Sequence, residues 1–79
     1  MMSIEKIKAT AESGMLTEQV MLDEIKSRVA NNELLSSLWE TGMRVAKSNE
    51  ERKTVMYMIL DCNEECREIF ATYLYYQMK

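Results

Sequence analysis

Residues Asn49–Lys79, NEERKTVMYMILDCNEECREIFATYLYYQMK, decide the fold. Ser48 followed by Glu51 is a capping box, in which each side chain satisfies an orphan amide at a helix start. From there Val55, Ile59, Cys62, Cys66, Ile69, Tyr73 and Tyr76 recur at alternating spacings of four and three. That is the seam of a packed helix. A second row, Met56, Leu60, Phe70 and Leu74, runs beside it. The spacing predicts one helix over 49–78. Asp61-Cys62-Asn63-Glu64 offers a second capping box that would break this helix, but the seam is unbroken on both sides and argues for keeping it whole. Asn63 and Arg67 interrupt the second row. They read either as polar residues that fix register in an assembly or as rim residues reaching solvent.

On a wheel of about 100° per residue the two rows together cover a sector of roughly 200°. One antiparallel neighbour covers about half of that. Leaving the rest wet would forgo roughly 1.5–3 kcal/mol per large side chain. The expectation is a second chain, either a copy of this one or another protein.

Working outward, Leu22, Ile25 and Val29 set a stripe that begins after a capping Thr17, with Glu24 and Arg28 positioned to pair across one turn. Leu35, Leu38, Trp39, Gly42, Val45 and Ala46 continue it in a slightly offset register, so Asn31-Asn32 marks either a drift within one helix or a break capped by Asn32. The pattern favours one helix over 18–47 with a possible kink at 31–32. Gly42 costs about 1 kcal/mol in a helix interior and fits a close helix approach. A short helix over 3–13 is capped by Ser3 and closed by Ser13-Gly14. Lys47-Ser48-Asn49 is short enough to force the long helices antiparallel. The fold class is all-α: one domain over 1–79, a short N-terminal helix plus a long antiparallel helical hairpin with arms of about 45 Å, assembling into a helical bundle.

Seventy-nine residues bury a thin core, and association is the expected stabiliser. Cys62 and Cys66 sit four apart on one predicted helix, a poor setting for a disulfide, and read as core packing rather than half of a zinc site. Glu5, Lys6 and Lys8 leave no apolar signal-peptide core near the start, and no apolar run approaches the roughly 20 residues of a membrane span. A cytoplasmic chain is expected.

The net charge is −3. Nucleic-acid binding leaves a clustered basic footprint, and the only candidate is the hairpin tip with Arg44, Lys47, Arg52 and Lys53. With no histidine, no phosphate loop and no nucleophile beside a base, nothing points to catalysis, a cofactor, a bound metal or a small-molecule substrate. Asp61, Glu64, Glu65 and Glu68, with Tyr57 and Tyr75, fall opposite the apolar sector and form either a solvated face or an acidic docking face. The expected function is non-enzymatic: an adaptor, chaperone-like or inhibitory regulator that docks another protein on a helix face and forms a homo-oligomer, with a dimer favoured. Leu35, Trp39, Met56, Leu60, Phe70 and Leu74 are the expected interface. The alternative is a nucleic-acid-associated regulator using the basic tip.

Overall fold

A computed structural model describes residues Met1–Lys79 as five α-helices: α1 (Ile4–Glu12), α2 (Glu18–Val29), α3 (Glu33–Val45), α4 (Asn49–Cys62) and α5 (Glu64–Met78). Every one starts at a side-chain cap. Ser3, Thr17, Asn32, Ser48 and Asn63 accept from the amides of Lys6, Val20, Leu35, Glu51 and Cys66 at 2.9–3.2 Å. Each bond satisfies one of the amides that a helix start leaves without a partner. The Glu51 carboxylate accepts from the Lys47 amide at 2.5 Å, so the expected capping box closes one residue early. At the end of α1 the Gly14 amide donates to the Ala11 carbonyl and the Met15 amide to Thr10, a Schellman closure with Gly14 at φ 78°.

Two expectations are corrected. The helix drawn over 18–47 is two helices, broken at Ala30–Asn32, and the helix drawn over 49–78 breaks at Asn63. Asn63 has φ −143° and ψ 113°, an extended conformation that ends α4 while its side chain starts α5. The Arg67 guanidinium donates to the carbonyls of Leu60 at 3.0 Å and Asp61 at 3.1 Å, closing the C-terminus of α4. Asn63 and Arg67 thus interrupt the apolar row because they finish one helix and begin the next. The seam concealed the corner, since each half keeps its own spacing of three and four across it.

The longest dimension is 34 Å, shorter than the roughly 45 Å arms of the expected two-rod hairpin. α3 packs on α4 and α2 on α5, while α1 also lies on α5. α4 meets α5 and α2 meets α3 at the two corners. Three elements of the same chain therefore cover α5, and the surplus apolar surface assigned to a second chain is largely hidden from within. Twelve residues form the core, all apolar, with Ile25, Ile59, Cys66 and Ile69 fully enclosed. Leu35 and Leu60, expected at an interface, belong to this core, and Trp39 is half-buried against it. Cys62 lies on the seam by spacing but is exposed at the end of α4, so only Cys66 fills the expected core role.

Gly42 allows the α3–α4 approach that its position suggested. A Cβ there would stand 2.9 Å from both methyl carbons of Val55. No helix is long and apolar enough to cross a membrane.

Candidate functional site: an apolar groove between α2 and α4

α2 and α4 both pack on α5 but make no close approach to each other. The gap between them is an open groove of about 600 Å³. Phe70, Tyr73 and Leu74 of α5 line it, with Met21 and Leu22 from α2, Met56 and Tyr57 from α4, and Met43 from α3. Met21 and Met56 are buried, whereas Leu74 is 41% and Tyr57 55% exposed. The remaining lining is polar: Glu18 on the α2 side, and Asn49, Arg52 and Lys53 on the α4 side.

The local chemistry explains how the walls come apart. At the corner Asn63 and Arg67 turn the chain so that Met56 and Leu60 on one side and Cys66 and Ile69 on the other all enter one core. The last two turns of α5 extend along a flank that neither α2 nor α4 fully covers, leaving Phe70 half-buried and Leu74 wet. Three methionines in the walls give the groove an adaptable lining, because an unbranched thioether can repack around differing shapes.

Of the six residues expected at an apolar interface, Met56, Phe70 and Leu74 come together here, while Leu35, Trp39 and Leu60 do not line the groove. Sequence reasoning missed Met21, Leu22, Met43 and Tyr73. Met21 was the legible one: with Ile25 and Val29 it recurs every fourth residue, and these three are the buried face of α2, with Leu22 half-exposed beside them.

The acidic face divides at the corner. Tyr57 and Asp61 lie on α4, and Glu64, Glu65, Glu68 and Tyr75 on α5, all exposed. Two of the acids are engaged within the chain: Glu68 pairs with Lys8 at 3.1 Å and Glu65 with Arg28 at 2.9 Å. Tyr57 serves the groove instead, and Tyr75 packs edge-on against Tyr76, with the Lys79 ammonium over both rings. The four cations of the basic tip are all exposed around the α3–α4 connection. Glu50 lies 4.0 Å from Lys53, and Asn49 accepts from Arg52 at 3.2 Å. Arg52 and Lys53 also stand at the groove, so basic tip and apolar groove adjoin.

Away from the groove, Arg28 ties three segments together. Its side chain is 4% exposed and donates to Glu24 at 3.0 Å, to Glu65 at 2.9 Å and to the Met2 carbonyl. The Met2 amide donates back to Glu24 at 2.8 Å. Burial opposes the charge on Glu24, but the Met2 amide and Arg28 outweigh it and hold the carboxyl below its ordinary value. The expected Glu24–Arg28 pair is present, and sequence spacing gave no sign of its links to Met2 and α5. Beside this cluster, burial pushes the Cys66 thiol up to about 11, with Arg28 opposing and Glu65 reinforcing the shift. Its Sγ faces the Ile25 carbonyl at 3.8 Å. No three His, Cys, Asp or Glu side chains come together as metal ligands would.

Comparison of the chain with protein-family models, with curated proteins and with solved structures finds no match.

Proposed function

We propose that this chain is a non-enzymatic protein–protein interaction module, an adaptor, chaperone-like or inhibitory regulator, that docks its partner in the groove between α2 and α4. One observation carries this reading: an open apolar groove that leaves Leu74 and Tyr57 in water while its floor is already packed. Fully burying a side chain of leucine size contributes roughly 1.5–3 kcal/mol relative to leaving it exposed, so a partner that covers the exposed part of Leu74 and Tyr57 gains a fraction of that from each. Helix-in-groove recognition is the mode that suits such a shape, with apolar anchors at one-turn spacing entering the groove. Both a copy of the chain and another protein suit this mode, and Arg52, Lys53 and Glu18 set which charges a partner can bring close.

The test uses the chain as bait for proteins of its native host, beside a Leu74→Asp variant. A partner retained by the wild-type chain at low and high ionic strength, and lost on the variant, supports groove docking. A partner that the variant retains, or that leaves the wild-type chain as salt rises, places recognition on a charged surface instead. The second reading, nucleic-acid binding through Arg44, Lys47, Arg52 and Lys53, has their shared exposure in its favour. A mobility shift at about 50 mM salt that disappears when all four are alanine would support it, and no shift at that salt would remove it.

A further inference from the structure

Resting on the groove as the binding surface, we infer that its occupant is the same groove of a second copy of this chain, the two joined about a two-fold axis running along it. The polar residues of the groove carry the argument. Glu18 stands on the α2 wall, and Arg52 and Lys53 stand on the α4 wall. A two-fold axis along the groove lays the α2 wall of each copy over the α4 wall of the other. Glu18 of each copy then faces Arg52 and Lys53 of its partner, twice over, in the self-complementary arrangement of an isologous interface. An axis across the groove would instead set like charges together, which costs affinity.

The apolar residues agree with this arrangement. Leu74 and Tyr57 line the groove half-exposed, and the methionine-lined walls can repack around the same pair from the other copy. The other exposed apolar side chains suit the role less well. Leu34 and Val45 lie on α3 away from the groove lining, and Tyr75 already packs against Tyr76. A chain with only twelve buried residues gains most from the association that covers the groove.

The experiment is light scattering on the purified full chain and four variants, with circular dichroism to confirm that each is folded. Wild type is expected at twice the chain mass of 9.3 kDa at high concentration. Leu74→Asp should weaken the dimer at least about tenfold, because it places a carboxylate in the apolar contact. Glu18→Lys alone, and Arg52→Glu with Lys53→Glu, should each weaken it several-fold. An equimolar mixture of these two charge variants should then form a heterodimer tighter than either homodimer, since both charge contacts are opposite in sign again. The triple variant combining them should also dimerise. A wild-type monomer at millimolar concentration would overturn the inference and leave the groove reading to the bait experiment. A dimer that survives Leu74→Asp would place self-association elsewhere. A dimer lost in Leu74→Asp but blind to the charge mixture would keep the groove and overturn the two-fold pairing.

Discussion

At the scale of single residues, Gly42 sets how near α3 can come to α4. Replacing it with alanine would gain about 1 kcal/mol of helix propensity, yet the new methyl would meet both Val55 methyl carbons at 2.9 Å. Val55 is β-branched and has little freedom to turn away within a helix. Gly42→Ala is therefore expected to destabilise by about 1–2 kcal/mol net, and adding Val55→Ala should recover part of the loss. Urea denaturation of the three chains checks both. The thiols differ by environment. Cys62 is exposed, whereas Cys66 is fully buried with its thiol raised to about 11. A disulfide-exchange reagent near pH 8 is expected to modify one thiol rapidly in the native chain and the second only on unfolding. Equal rates would contradict the burial of Cys66.

Glu24 supplies the pH dependence at this scale. Its carboxyl is held below the ordinary value in the folded chain, so the unfolded chain takes up a proton first as pH falls. The stability it contributes is full above the unfolded value and is lost as pH falls through the folded one. The urea midpoint of the wild-type chain should therefore drop more steeply in acid than that of Glu24→Gln. Removing its partner is more severe, because Arg28→Ala takes away the salt bridge of a largely buried Glu24 and leaves the N-terminal ammonium as its remaining cation. About 3 kcal/mol is the expected cost, part of it the lost tie to Met2.

At the scale of elements, the corner at Asn63 decides the architecture. Asn63→Ala removes the oxygen that accepts the Cys66 amide and should cost about 1 kcal/mol. Arg67→Ala frees the carbonyls of Leu60 and Asp61 at the end of α4 and should add a comparable loss. Because both act at one corner, the double variant is expected to depart from additivity, which a double-mutant cycle in urea would measure. The same corner shows what could be read from the chain beforehand. Ser3, Thr17 and Ser48 announce their helices because each precedes a new apolar period, and Gly14 ends α1 by its left-handed backbone. Asn32 and Asn63 have the same capping chemistry, but the stripe shifts register only slightly at Asn31-Asn32 and runs on unbroken across Asn63. Spacing records which face is buried, not whether the axis turns, so the one-residue break at Asn63 leaves no trace in it. The arrangement of α1, α2 and α4 around α5 depends on those turns, and the surplus of apolar surface was overestimated for that reason.

At the scale of the whole molecule, folding back leaves one apolar opening rather than an uncovered rod. Two helices rest on a third without meeting, and the space between them is where Met56, Phe70 and Leu74 reach water or the groove wall. Three of the six expected interface residues meet there, all from the second row, because the rows describe faces correctly even where helix length is wrong. Met43 joined them through tertiary placement, which no local pattern records, whereas Met21 and Tyr73 lie on apolar stripes that the spacing shows. The measurement that tests this most directly follows the methionine methyl resonances by NMR as chain concentration rises, assigned by single Met→Leu substitutions. Pairing of two copies through the groove predicts that the resonances of Met21, Met43 and Met56 shift together while those of Met15 and Met78, far exposed and outside the groove lining, stay fixed. Shifts confined to Met15, Met58 or Met78, with the three groove methyls unmoved, would contradict it.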